Sequence, residues 1–333
     1  MPLRPFALAL ALGSATLIAA AGAPPELEGA LGTRQVFPVS NWWNQDISGA
    51  PIDGLSPSFI SFIGPTTQLH PDFGPPPYGI PYVVVGGDQP LVQPVWMKYG
   101  DESDNGAAGR PAGYPIPAEA KTQANYIEGG VAGGGSSGDR HLLLIDRDNW
   151  LLFETGETRW NTMLSRWEAS GGAVFDLKRN DRRPDTWTSA DAAGLAIFPG
   201  LVRYEETYGT GEITHAFRVT VRSTNGYVWP ASHRAGSTGG ALPMGARLRL
   251  KSTKNLSGYP AQMQRVFRAM QRYGLIVADN GSDMMVTGTM DPRWNNSILN
   301  PAFHSLTAAD FDVVQLGWRG SPPRPPTNLR IIR

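Results

Sequence analysis

THAFRVTVR (residues 214–222) is the stretch from which the fold is read. His215, Phe217, Val219 and Val221 fall on one face of an extended chain, and Arg218, Thr220 and Arg222 on the other. That is the period-two pattern of a half-buried strand. Strand signals continue outward through HLLLID (141–146), LLFET (151–155) and GAVFDL (172–177), and Leu152 shares a face with Glu154 and Val174 with Asp176. Short apolar runs at 82–85 and 94–97 sit among Gly and Pro breakers. With 39 Gly, 29 Pro and 17% charged residues, the composition reads as a loop-rich β protein. The predicted fold is all-β, a β-sandwich of jelly-roll type, with an irregular β-barrel as the alternative. One amphipathic helix is expected at 260–273, where Met263, Val266, Phe267, Met270 and Tyr273 form a stripe that Gly274 ends. Asp279-Asn280-Gly281-Ser282-Asp283 reads as a tight turn between strands, with Gly281 at positive φ.

The ends set the boundaries. Arg4 precedes an apolar run over 6–18 and then small residues to Ala23, the pattern of a secretory signal peptide over 1–23. The run falls short of the roughly 20 apolar residues of a membrane span. Residues 24–35 read as a flexible segment, 36–318 as a single β-rich domain, and 319–333 as a proline-rich linker. PPRPPTNLRII (322–332) resembles the opening of a fibronectin type III module. The expectation is a secreted protein with no membrane association after cleavage. Cysteine is absent, which excludes disulfides, thiol nucleophiles and Cys-ligated metals. Lys plus Arg (29) balances Asp plus Glu (29), so no basic surplus serves a nucleic-acid partner. The glycine-rich loop 129–138 lacks the Gly-Lys-Ser/Thr of a phosphate-binding loop.

Charged residues sit inside the apolar runs from 139 to 215, and burying an unpaired charge costs several kcal/mol. Such a pattern builds either a polar network or an active site. Glycosidic cleavage needs two carboxyl groups, one protonated and one ionised. Glu154 and Asp176 are the first candidate pair, with Asp191 and Glu205 in reserve. His141 and His215 would protonate or position substrate, and Arg140 and Arg203 would orient acids or bind an acidic sugar. Trp187, Tyr204 and His233 complete the candidate binding set. In a lyase variant, Arg neutralises a uronate while His or Tyr204 acts as base. The competing reading pairs these acids with Arg140, Arg183, Arg203 and Arg218 as strand-end ties.

The histidines lack the close spacing of a metal motif, so no metal ligands are assigned and the cofactor is unknown. His70 and His304 read as surface or loop residues. Ser189 lacks the Gly-x-Ser-x-Gly elbow of an esterase, and Thr188 or Ser189 reads as a cap with Asp191 in the next turn.

The strings WNQDI, GIPYVVV, YPIP, GDRHLLLID, GAVFDL, TSADAAGLAIFPGLVRYEE, ITHAFRVTV and YGLIVADNGSD resemble a family of secreted, largely uncharacterised proteins of bacteria and some eukaryotes. The resemblance spans about 35–316 and implies export, without supplying catalytic residues. The functional expectation is a carbohydrate-active enzyme on an extracellular polysaccharide, with a non-catalytic glycan-binding or surface-structural domain as the alternative.

Overall fold

The computed structural model describes residues 23–32, 34–106 and 109–320. The signal-peptide reading of the first 22 residues and the module-like tail from 321 lie outside the described residues. No described helix is long and apolar enough to cross a membrane.

The chain is β-rich, as its patterning predicts. Strands β1 (Glu26–Leu27), β3 (Tyr82–Val85), β5 (Leu142–Asp146), β6 (Leu151–Gly156) and β9 (Gly171–Asp176) form a five-stranded sheet in that order. Both faces of this sheet are covered. Tyr82, Val84, Leu143, Ile145, Leu152 and Phe175 enter the main core, whereas Val83, Val85, Leu142, Leu144, Phe153 and Val174 pack against Tyr114, Ile116 and Trp167. A strand buried on both sides carries a continuous apolar run, which is why YVVV and LLLI do not alternate.

The six-stranded sheet runs β14 (Phe311–Val313), β11 (Arg247–Leu250), β12 (Leu275–Asn280), β10 (Phe217–Val221), β13 (Met285–Thr287), β2 (His70–Asp72). A third sheet joins β4 (Val95–Trp96), β8 (Arg166–Ala169) and β7 (Arg159–Asn161). Pairing is mixed: β2 with β13, β3 with β5, β4 with β8 and β10 with β12 are parallel. Parallel neighbours need long crossovers, and this departs from the antiparallel strand order of a jelly roll.

Helix α3 (Ala261–Arg272) forms where its stripe predicts, with Met263, Val266, Phe267 and Met270 buried and Gly274 at φ 78° just beyond it. Three further helices were not expected: α1 (Ser56–Ile63), α2 (Tyr204–Tyr208) and α4 (Asn296–His304). The first two are too short for a clear period, and α4 holds Pro301. At the end of VRYEE (202–206), Tyr204 opens α2. The segment expected to be flexible carries β1, which pairs antiparallel with the free edge of β3, while Glu28 accepts a hydrogen bond from the Tyr82 N–H at 3.0 Å.

Residues 279–283 do not form a hairpin turn. Strands β12 and β13 flank β10 on opposite sides, so the chain hops across the end of β10. Gly281 N–H donates to Val221 O and Met284 N–H to Thr220 O. Gly281 is not at positive φ; Met284 is, at 59°.

Candidate functional site

Strand β10 is central and buried on both faces, including Arg218 and Thr220. The face read as solvated therefore looks into a polar interior. Its parallel register with β12 holds through Val219↔Val277 and then jumps to Thr220↔Asp279, leaving Ala278 as an extra residue. Alternation would have turned Asp279 to the Val219 side. The bulge instead brings it beside Thr220, onto the Arg218 face.

Residues 188–200 dock on this bulge, with Ala193 N–H donating to Ala278 O at 2.9 Å. The loop is closed by its own polar side chains. Ser189 Oγ donates to Leu195 O at 2.6 Å and accepts from Asp191 N–H at 2.9 Å, which ties it into the turn as the capping reading expected. Gly194 sits at φ 72°, and a Cβ there would meet Ser232 Oγ and lie 2.6 Å from the Trp187 carbonyl oxygen. Gly194→Ala is therefore expected to cost at least about 2 kcal/mol, from left-handed strain plus the backbone clash. Urea denaturation showing a loss below about 0.5 kcal/mol would mean that the loop yields freely.

Docking delivers Asp191 to Arg218. Both Asp191 oxygens accept from the guanidinium at 2.8 Å, and that side chain has no exposed surface. Arg218 also donates to Asp279 at 3.1 Å and to Thr287 Oγ1 at 2.8 Å. Burial pushes the Asp279 carboxyl up to about 6, against the pull of Arg218. Asp279 keeps 27% of its side chain exposed.

His141, at the start of β5, lies next to this group. Its Nδ1 is 2.7 Å from Glu128 Oε2 and its Nε2 is 3.1 Å from Ala190 O. Both partners only accept, so both ring nitrogens carry protons. Burial opposes that charge, but Glu128 overcomes it and raises the imidazole to about 9. His233 faces the same space. Its Nδ1 donates to Ala192 O at 2.8 Å, and among the described residues no hydrogen-bond partner meets its Nε2.

His141, Asp191, His233 and Asp279 line a cleft of 680 Å³ that also takes in Tyr99, Asp139 and the exposed Arg234. A 110 Å³ recess behind it is bounded by Asp72, Glu128, Asp139, His141, Arg218 and Asp279. Among the described residues, no three His, Asp or Glu side chains converge as metal ligands.

The sequence-predicted set is divided. His141, Asp191 and His233 come together at the cleft. Glu154 and Asp176 do not form a pair. Leu151 stands opposite Asp176 and Ala173 opposite Glu154, and an offset of three residues puts the two acids on opposite faces of the sheet. Glu154 is fully buried, and its oxygens accept from the Ile197 and Phe198 N–H groups at 2.9–3.0 Å. Burial raises it to about 7. It anchors the 188–200 loop from beneath. Asp176 ends β9, where it accepts from Lys178 N–H at 3.0 Å.

His215 lies on the Phe217 side of β10, its ring 5.2 Å from that of Phe217, away from Arg218. Its Nε2 is 3.0 Å from Glu206, which also accepts from Arg203 at 2.6 Å. With Glu205, these residues line a separate 540 Å³ cavity. Glu205 pairs with Arg293 at 2.6 Å, and Arg293 covers the Tyr204 ring at 4.2 Å. Tyr204 stacks on Tyr208 in α2 and takes no part in the cleft. Arg140 donates to the carbonyls of Gly138 and Glu157, a backbone tie. Trp187 lines a neighbouring cavity. His70 and His304, read as surface or loop residues, stack at 5.1 Å with Nδ1 and Nε2 2.8 Å apart, joining β2 to α4.

Arg218 and Asp279 are the residues that sequence reasoning underused. Arg218 was assigned only as a strand tie and Asp279 only as a turn residue. Comparison of the chain with family models, with curated proteins and with solved structures finds no match to any of them.

The buried groups set a pH dependence. Asp279 (about 6) and Glu154 (about 7) hold their protons longer folded than unfolded, so each loses stability as pH rises from its ordinary value through its raised one. His141 (about 9) contributes fully below its ordinary value and loses that contribution as pH rises to about 9. Glu206, which Arg203 and His215 hold down at about 2 against the effect of burial, acts oppositely: its contribution is lost only in acid. The melting temperature should therefore peak at mildly acidic pH, near about 4–5, and decline toward 9. A rise between pH 6 and pH 9 in a thermal-shift series would contradict these assignments.

Proposed function

We propose that the protein is an exported carbohydrate-active enzyme that cleaves a polysaccharide in the 680 Å³ cleft, and that it belongs to the secreted family its strings resemble. The reading is supported above all by Asp279. This carboxyl group is partly exposed at the cleft and raised to about 6, so that it carries a transferable proton near neutrality. A wide, polar, largely preformed hollow suits a sugar.

Asp279 donates its proton to the departing glycosidic oxygen. His233 Nε2 accepts a proton from the water whose oxygen bonds to the anomeric carbon as the glycosidic bond breaks. The carboxylate pair expected from sequence is replaced by an acid and an imidazole. Asp191 is no candidate nucleophile, because Arg218 occupies both its oxygens and the side chain is fully enclosed.

Elimination on a uronic-acid polymer is a second reading, favoured by the exposed Arg234 and the His141 imidazolium in the same cleft. There Arg234 would hold the sugar carboxylate and His233 would take the proton from the carbon beside it. A panel of neutral and acidic polysaccharides incubated with the purified protein tests both. New reducing ends without ultraviolet-absorbing product mean hydrolysis, and new ends with that absorbance mean elimination. No new ends on any polymer would overturn the proposal and favour the non-catalytic binding domain.

A further inference from the structure

Beside the cleft lies a cavity of 650 Å³, bounded by Gly100, Asp101, Asp104, Arg110, Arg183 and Trp187. The two hollows share a wall. Tyr99 and Thr188 face the cleft, and their chain neighbours Gly100 and Trp187 face the cavity. The wall is braced by one buried arginine. Arg183 donates to Thr188 O at 2.6 Å and to Glu102 O, and it pairs with Asp104 at 2.6 Å. The Glu102 carboxylate accepts from Thr188 N–H at 2.7 Å. A ligand bound there orders nothing new in the wall, which favours affinity.

Trp187 and Arg110 are the side chains in this cavity whose chemistry suits a sugar acid. Trp187 is half-buried, with the Arg183 guanidinium 5.5 Å from its ring centre, so the indole is fixed in orientation. Among the described residues, Arg110 is the cation of this cavity without a carboxylate partner. Arg183 has Asp104, and Arg182 has Asp185 at 2.7 Å. Among the described residues, Arg110 has one hydrogen bond, to Val174 O at 2.7 Å, and no carboxylate within ion-pair distance. Held by that bond, the guanidinium keeps its other donors for the cavity that it lines. Asp101 is exposed in the same wall and Asp181 is tied to Arg179 at 2.9 Å, so attraction for an anion rests on Arg110.

We propose that this cavity is a second subsite of the same groove, taking an acidic sugar unit of the polymer whose neighbouring bond lies in the cleft. The proposal rests on the cleft being the polysaccharide site. Arg110 binds the uronate carboxylate through its forked donors, and Trp187 packs its indole face against the sugar ring. The substrate class that follows is a uronic-acid-containing polysaccharide.

Binding of polygalacturonate and of its fully methyl-esterified form, measured by calorimetry on wild type, R110Q and W187A, tests this. Wild type should prefer the free acid. R110Q should weaken free-acid binding about tenfold or more and so erase the preference. W187A should weaken both forms, with circular dichroism and melting temperature reporting that each variant is folded. Alginate and hyaluronan are run alongside, so that uronates of other stereochemistry are included. The subsite is overturned if wild type shows no preference for any free-acid polymer, or if R110Q keeps it. Cleavage of a neutral polymer with no binding of acidic ones would remove the subsite and leave the cleft reading standing. Free-acid binding that R110Q abolishes, without cleavage on the panel, would support the subsite and remove the enzymatic reading alone.

Discussion

Replacing Arg218 by methionine should destabilise the protein by about 3–5 kcal/mol, because breaking a buried ion pair leaves an uncompensated charge. The guanidinium is 4% exposed and binds Asp191, Asp279 and Thr287. Without it, the enclosed Asp191 carboxylate keeps only a 3.2 Å bond from the Ala192 N–H. Methionine matches much of the volume, so the loss reports charge and hydrogen bonding more than a cavity. Arg218→Lys should lose less, since it keeps the charge and gives up the fork. Asp191→Asn in the Arg218→Met background should recover part of the loss, and the double-mutant cycle measures the coupling. Equilibrium denaturation decides the matter. A penalty below about 1 kcal/mol for Arg218→Met would mean that the network contributes little and that the 188–200 loop is held by its backbone bonds.

Asp279→Asn should lower turnover on whichever polymer is cleaved by about 10²–10⁴-fold, the range for removal of a general acid. The amide preserves the shape and can still accept from Arg218, so the fold should persist. Loss of a buried group's raised ionisation should also flatten the decline of stability between about pH 4 and pH 6. Two readouts then move together: turnover falls, and the descending limb of the melting-temperature profile becomes shallower between about pH 4 and pH 6. Full activity in Asp279→Asn would remove this residue from the reaction and leave the cleft without an acid of suitable ionisation.

The division of the histidines has the same origin as the division of the carboxylates. His215 and Arg218 are close in sequence, and the alternation that placed His215 with Phe217 was read correctly. That alternation also meant that His215 and Arg218 point to opposite sides of β10, where they serve different cavities. The sequence marks His215 as a candidate site residue and Arg218 only as a tie between strand ends. A strand with neighbours on both edges and both faces covered has no solvated face, and neither neighbour is visible in its own residues.

Local physics carried several features through from the amino-acid sequence alone. Strands 151–156, 171–176 and 217–221 follow from alternating runs, 82–85 and 142–146 from short continuous apolar runs, and helix α3 from one 3.6-residue stripe. The concentration of charge between 139 and 215 marked part of the region that builds the polar interior, with His141 and Asp191 in it. The tertiary structure decided what each charge does. Parallel pairing of β10 with β12 is a long-range register, and the single extra residue at Ala278 that rotates Asp279 onto the Arg218 face has no signature in LIVADN. Glu154 looked like half of a catalytic pair because a buried carboxylate and an active-site acid read alike in a strand. Two backbone N–H groups, donated from more than forty residues away in the chain, made it an anchor instead. Alternation along a strand is set by the chain itself, whereas the partner that a side chain meets across a fold is set by packing between segments whose separation in sequence carries no local trace.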